Sequence, residues 1–152
     1  MLRLGWLSTG RGEGSSGFLE LVQGQIDSGE LNAHIEFVFS NREPGEAEGS
    51  DQFFRLVESH NIPLVTLSSS RYRLEHGGGS MADHRKSYHR EVMSLISGFN
   101  LDLCVLAGYM LITSAEMCQR YLMINLHPAL PDGPSGTWRQ VIWELIDQRA
   151  SK

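Results

Sequence analysis

Asn125-Leu126-His127-Pro128 is the segment of this sequence whose residue types point most directly to bond-making chemistry. In a strand, two residues separated by one point to the same side. There the Asn125 amide can donate to a developing oxyanion while His127 moves a proton, a pairing suited to acyl or formyl transfer. Pro128 ends the strand and fixes where His127 sits. A lone histidine is more often a structural or surface residue, but the Asn partner and the strand-end position favour a functional role. A second candidate is the glycine loop Gly12-Glu13-Gly14-Ser15-Ser16-Gly17. Its bare backbone lets N–H groups approach a phosphate, and a following helix adds partial positive charge. The same residues fit the dinucleotide pattern Gly-x-Gly-x-x-Gly. An NAD site would want an acidic residue at the end of the second strand. Ser40-Asn41-Arg42 stands there instead, and Arg42 suits the 2′-phosphate of NADP, so an NADP-binding oxidoreductase stays open. His76, His84 and His89, with Asp83, match no zinc spacing. They are expected to be solvated, and no metal site is expected.

These residues need a scaffold, and the pattern of apolar positions supplies one. Leu2 to Ser8 reads as a strand entering the glycine loop. A helix with Phe18, Leu21, Val22 and Ile26 on its inner face follows. His34 to Phe39 is a second strand, Asp51 to His60 a short helix with Phe53, Phe54 and Val57 inward, and Ile62 to Leu67 a third strand. Ser68 to Ser80, with Gly77-Gly78-Gly79, reads as a polar loop insertion. A helix is expected from Met81 to Phe99 with Tyr88, Val92, Leu95, Ile96 and Phe99 on one face. Leu101 to Ala107 is nearly all apolar, as a strand buried on both faces is. Ser114 is placed to cap a short helix to Tyr121, and Met123 to Leu126 is a last buried strand. A final helix carries Trp138, Val141, Ile142, Leu145 and Ile146 as its apolar stripe, with Trp143 off it. Alternating strands and helices imply an α/β, Rossmann-like fold: a parallel or mostly parallel sheet with helices on both faces. Ligands of such sheets sit beyond the carboxyl ends of the strands, where the candidate residues fall.

Composition narrows the function classes. At 152 residues the chain has the length of one ordinary domain, read here as a single domain over 1–152. Hydrophobic residues at 41% and charged residues at 20% argue against wholesale disorder. The net charge of −5 argues against nucleic acid or an anionic membrane as the main partner, leaving small-molecule substrates. Cys104 and Cys118 are expected to be reduced thiols, and no apolar stretch is long enough to span a bilayer, so a cytoplasmic location is expected. Glycine accounts for 16 residues, more than the usual ~7%, and the excess is clustered in the loops.

Five segments carry a resemblance in order. They are Gly12-Glu13-Gly14-Ser15-Ser16, Phe37-Val38-Phe39-Ser40-Asn41-Arg42, Arg85-Lys86-Ser87-Tyr88-His89-Arg90-Glu91, Val105-Leu106-Ala107-Gly108-Tyr109-Met110 and Asn125-Leu126-His127-Pro128-Ala129-Leu130-Pro131. Together they span nearly the whole chain, and the set resembles the folate-dependent formyltransferases. That resemblance implies a sheet of the formyltransferase type and 10-formyltetrahydrofolate as the formyl donor, a co-substrate. It matches Gly14, Ser15 and Ser16 to a loop that holds a substrate phosphate, and Arg85 to a folate-contacting arginine. It matches Met110, Leu111, Ile112 and Thr113 to the segment whose backbone holds the pterin, with Asn125 also at the folate. Asn125 and His127 match the two residues that act at the formyl carbon. The proline after His127 and the phosphate loop favour the branch that formylates glycinamide ribonucleotide, a step of purine biosynthesis. The sequence departs from the family pattern at Ser16, where asparagine is usual, and at Leu111, where arginine is common. The family's catalytic aspartate matches neither Asp132 nor Asp147. It would lie after Lys152, so the chain is expected to be the family's N-terminal part. A non-catalytic nucleotide- or folate-binding module is the reading that follows if that carboxylate is never supplied.

Overall fold

The computed structural model describes residues 1–126 and 133–150. Its centre is a five-stranded parallel sheet of order β3-β2-β1-β4-β5. The strands are β1 (Leu2–Leu7), β2 (Ala33–Ser40), β3 (Leu64–Thr66), β4 (Leu103–Leu106) and β5 (Met123–Asn125). The chain leaves β1 towards β2 on one side and later returns to pair β4 on the other. The strand order therefore reverses at β1, and the crevice between the loops after β1 and β4 is where such sheets take their ligands.

Helices cover both faces. On one, α1 (Glu13–Asp27) and α2 (Glu48–Ser59) pack Leu19, Phe53, Phe54 and Val57 against Leu4, Trp6, Ile35 and Val105. On the other, α3 (Ser69–Glu75), α4 (Met81–Leu95) and α5 (Ala115–Arg120) pack Tyr72, Tyr88, Val92 and Met117 against Leu7, Phe37, Phe39 and Cys104. Fully burying a side chain of this size contributes about 1.5–3 kcal/mol. The register between β1 and β2 slips once, from Leu4↔Ile35 to Gly5↔Phe37. The extra residue, Glu36, is a bulge, which is why Ile35 and Val38 share one face while Phe37 and Phe39 share the other. At the amino ends, the Arg3 guanidinium holds both oxygens of Asp102 at 2.9–3.0 Å. This tethers β1 to the entry of β4.

Several details depart from the sequence reading. The segment after Ser68 is not a loop throughout: Ser68 Oγ accepts from Arg71 N at 3.1 Å and starts α3, whose Tyr72 is buried edge-on to Tyr88. The cap and the aromatic contact outweigh the polar composition. In α1 Phe18, Val22 and Ile26 pack against the core as expected, but Leu19 is the fully buried residue and Leu21 is exposed. In α4 the helix stops at Leu95, which is itself exposed, and His89 and Met93 are buried instead. In α6 (Trp138–Ala150), Val141 is buried, while Ile142, Trp143 and Ile146 are exposed. β5 is an edge strand among the described residues, not a buried one: it pairs with β4 alone, and Ile124 is 52% exposed. Both cysteines are free. Cys104 lies in the core, where burial pushes its thiol up to about 11, and Cys118 is exposed. No described helix is long and apolar enough to cross a membrane.

The turn out of β1 depends on one glycine. Gly10 has φ +67°, and a Cβ there would lie 2.6 Å from Phe53 Cδ1. Gly10→Ala is expected to cost about 2–4 kcal/mol, the sum of left-handed backbone strain and overpacking. Gly24→Ala lies inside α1 with open space around it, and should gain about 0.5–1 kcal/mol from helix propensity. Urea unfolding of the two variants checks the contrast.

Candidate functional site

The loops leaving β1, β2 and β4 are joined by a buried polar cluster centred on Thr9. Its hydroxyl donates to Asn41 Oδ1 at 2.6 Å and accepts from Met110 N at 2.9 Å. Asn41 Nδ2 in turn donates to Ser69 Oγ at 3.1 Å, which brings in α3. The Thr9 amide donates to the Gly108 carbonyl at 3.1 Å, and Ser40 and Ser50 hydroxyls both donate to the Thr9 carbonyl at 3.4 Å. Thr9, Asn41, Ser40 and Ser50 are all buried. A buried polar group left unpaired costs about 1–3 kcal/mol, so these loops hold one another in a single arrangement.

The glycine segment is shorter as a loop than its composition implies, because α1 begins at Glu13. Gly12 is the N-cap and supplies no side-chain cap; its carbonyl accepts from Ser15 N at 3.0 Å and Ser16 N at 3.3 Å. Gly14 is exposed in the first turn, and Ser15 and Ser16 are half-buried. The first amides of the helix, Glu13 and Gly14, have no acceptor within the helix. A Cβ on Gly12, Gly14 or Gly17 would meet nothing within 4 Å, so packing does not require glycine at any of the three. That counts against the dinucleotide pattern, whose third glycine serves close helix–strand packing. Arg42, the residue suited to an NADP phosphate, donates from Nη1 to Ser50 Oγ at 3.1 Å. Across the crevice, a Cβ on Gly108 (φ +72°) would approach Ser15 Oγ to 3.4 Å, so the phosphate-type loop and the turn after β4 lie side by side.

That turn carries the next group of candidates. Met110 and Ile112 are exposed, Thr113 is half-buried, and Leu111 packs on the core beneath α4 and α5. The Met110 amide is taken by Thr9. Among the described residues no hydrogen bond engages the amides of Leu111, Ile112 and Thr113. Arg85, half-buried on α4, lines a groove of about 550 Å³ between the amino ends of α4 and α5, with Lys86, Ser114 and Gln119 among its walls. Asn125 ends β5 opposite Leu106 in register, and the Leu126 amide donates to the Leu106 carbonyl at 3.3 Å. Asn125 is therefore exposed at the same carboxyl edge, one strand over from the turn. His127, Pro128 and Asp132 lie outside the described residues. No group of three or more potential metal ligands occurs among the described residues.

Two residues that the sequence reading passed over matter here. Thr9 opens the glycine loop that follows the first strand, and its signal is a hydroxyl residue just past an apolar strand. His89, expected to be solvated, is 1% exposed. Its Nδ1 lies 2.9 Å from the Arg85 carbonyl and its Nε2 3.0 Å from Tyr109 Oη.

The comparisons fit this geometry. The sequence profile of the family described as formyl transferase matches residues 12–140. The chain belongs to the formyl transferase family. Its fold is that of solved members. Glycinamide ribonucleotide transformylase 1 from Symbiobacterium toebii aligns at TM-score 0.70 and 22% identity, covering 94% of this chain and 60% of that one. Phosphoribosylglycinamide formyltransferase from Bacillus halodurans aligns at TM-score 0.68 and 24% identity, covering 93% and 64%. A formyltetrahydrofolate deformylase from Pseudomonas putida aligns at TM-score 0.61 and 21% identity, covering 90% and 41%. The formyl transferase chain thus spans about three-fifths of the length of the first two structures. A search of curated protein sequences finds no match.

The buried imidazole gives the family member a specific pH response. Burial holds His89 below its ordinary value, and the nearby Arg85 charge acts in the same direction, against a raising hydrogen bond to the Arg85 carbonyl. Above about pH 6.5 the ring is neutral in both folded and unfolded chains. As pH falls below that, the unfolded chain takes a proton that the folded chain resists, so stability drops until the folded ring protonates. The Asp102 carboxylate, held down to about 2 by Arg3, loses its contribution only between its ordinary value of 3.8 and 2. The melting temperature is therefore expected to fall from pH 7 to pH 5, and the fall should be shallower in His89→Gln, measured by thermal unfolding across that range.

Proposed function

We propose that this chain carries the ligand-holding part of an enzyme that transfers the formyl group of 10-formyltetrahydrofolate to the amine of glycinamide ribonucleotide. The observation that carries the reading is the side-by-side placement of the exposed first turn of α1 and the turn after β4, where Ser15 abuts Gly108 and Thr9 holds the second of the two. One offers free amides and hydroxyls to a phosphate. The other offers unpaired backbone at Leu111, Ile112 and Thr113 to the hydrogen-bonding edge of a pterin. Family membership supplies the reaction class.

In this reading Gly14, Ser15 and Ser16 hold the ribonucleotide phosphate, and Arg85 contacts the folate from the groove between α4 and α5. Asn125 and His127 flank the formyl carbon. The substrate amine attacks that carbon to form a tetrahedral intermediate, whose oxyanion Asn125 stabilises from its amide N–H. Collapse breaks the bond to folate N10. The proton lost by the attacking amine reaches N10 through His127, so formyl-amine and tetrahydrofolate leave with all atoms balanced. Transfer to water instead of an amine is the second reading, favoured by the likeness to the deformylase. The exposed glycine turn, which a hydrolase acting on folate alone has no use for, weighs against it.

Turnover of 10-formyltetrahydrofolate with and without glycinamide ribonucleotide tests the proposal. Formylated ribonucleotide is expected, with rates falling roughly 10²–10³-fold in Asn125→Ala and to a comparable degree in His127→Ala. Formate release independent of the ribonucleotide would assign hydrolysis. Saturable binding of both ligands with no product would make the chain a binding module. NADPH binding without folate binding would overturn the reading altogether.

A further inference from the structure

We propose that His89 is a positioning residue for the folate subsite, setting the turn Gly108-Tyr109-Met110 through a hydrogen bond to the Tyr109 hydroxyl. The inference rests on the folate reading of Arg85 and Met110 to Thr113. It assigns a role to a buried group that the transfer chemistry itself does not use.

The ring sits one turn along α4 from Arg85, facing the sheet among Tyr88, Val92 and Met93. An apolar residue would satisfy that position by packing alone, and a buried imidazole is costly unless both nitrogens are paired. Both are. A carbonyl can only accept, so the Arg85 oxygen at 2.9 Å fixes the proton on Nδ1. In the neutral ring Nε2 is then a bare acceptor, and Tyr109 Oη at 3.0 Å donates to it. The direction of this bond is thus determined by the helix carbonyl behind the ring.

Tyr109 is 7% exposed, with its ring edge-on to Phe39 and to His89. Its two neighbours are both bonded to Thr9, Gly108 through its carbonyl and Met110 through its amide. The turn is consequently held at two points: Thr9 grips its backbone from the β1 side, and His89 grips its one buried side chain from the α4 side. Since α4 also carries Arg85, His89 ties the two separate elements of the proposed folate subsite to a common geometry. The glycine turn at Gly12 to Ser16 hangs on α1, across the sheet from α4, and His89 makes no hydrogen bond to it. The glycine turn meets the turn after β4 only where Ser15 abuts Gly108, which Thr9 holds independently, so loss of the His89–Tyr109 bond should weaken binding of the folate far more than that of the ribonucleotide.

The test measures dissociation constants by titration calorimetry for a hydrolysis-resistant 10-formylfolate analogue and for glycinamide ribonucleotide. The proteins are the full chain and the variants Tyr109→Phe, His89→Phe, His89→Gln and the double variant with Phe at both positions. Tyr109→Phe keeps the ring and its packing, so it remains informative where His89→Phe folds poorly. Folate affinity is expected to fall roughly tenfold in each Phe variant, the scale of one buried hydrogen bond. The double variant should lose no more than the singles, and His89→Gln should recover most of the loss. Ribonucleotide affinity should stay within about twofold. Nitrogen-15 spectra of the imidazole should show the proton on Nδ1. Equal loss for both ligands, no loss for either, or a ring protonated on Nε2 would overturn the proposal. If the unaltered chain binds no folate analogue, the functional reading falls. Exchange of the Met110 amide then still decides the positioning role: faster exchange in Tyr109→Phe supports it, and unchanged exchange overturns it.

Discussion

The hydroxyl of Thr9 is the point on which the upper edge of the sheet depends. It both donates and accepts, and so joins the loop after β2 to the turn after β4 from a position two residues past the end of β1. A parallel sheet provides strand ends that all face one way, but nothing in a ladder of backbone bonds fixes the loops beyond them. Here that is done by short polar side chains buried just past the last apolar residue of each strand: Thr9 after Leu7 and Ser8, Asn41 after Phe39 and Ser40. Each partner would cost free energy if left alone, so the cluster is all-or-none. Gly10 and Gly108 follow from this constraint, because the chain must turn in the left-handed region immediately beside the cluster on both sides of the crevice.

The consequence for function is pre-organisation. Ligand groups that bind backbone amides gain little if the loop must first be ordered, because ordering a residue costs about 1–2 kcal/mol. The turn after β4 is held by Thr9 from one side and His89 from the other, while its outward amides from Leu111 to Thr113 are unengaged. The first turn of α1 is held by Gly12 carbonyl bonds and abuts Gly108. Two segments from opposite sides of the strand-order reversal, those proposed to meet the ligands, are thereby fixed relative to each other. Such an arrangement suits a reaction that joins two bound molecules.

Much of this was legible in the residues. The apolar strands read over Leu2 to Ser8 and Leu101 to Ala107, which form as Leu2–Leu7 and Leu103–Leu106, the cap at Ser114, and the parallel α/β architecture follow from periodicity and turn chemistry. The ordered motifs led to the family and to a strand-end site. What was hidden depended on contacts distant in sequence. His89 reads as a polar residue on a polar helix, and only Tyr109, twenty positions on, makes its burial affordable. Tyr72 reads as part of a polar linker until its edge-on contact with Tyr88 of α4 is seen. β5 reads as a buried strand because Met123 to Leu126 is apolar apart from Asn125, yet composition cannot tell a central strand from an edge strand. In α1 Phe18, Val22 and Ile26 face the core as the spacing implies, but Leu19 takes the place of Leu21, because adjacent apolar residues allow more than one stripe. The roles at Asn125 and His127 rest on the family motif, with Asn125 found at the expected edge.

A single hydroxyl, that of Thr9, aligns the loop after β2 with the turn after β4, on which the proposed folate site depends. The most direct measurement is the affinity of a hydrolysis-resistant 10-formylfolate analogue for the unaltered chain, Thr9→Ser and Thr9→Val. Valine matches the shape of threonine without its hydroxyl, and serine keeps the hydroxyl. Binding within about threefold of the unaltered chain is expected for Thr9→Ser, and at least roughly tenfold weaker binding for Thr9→Val. Equal binding by all three proteins, or no binding by any of them, would contradict this role of the hydroxyl.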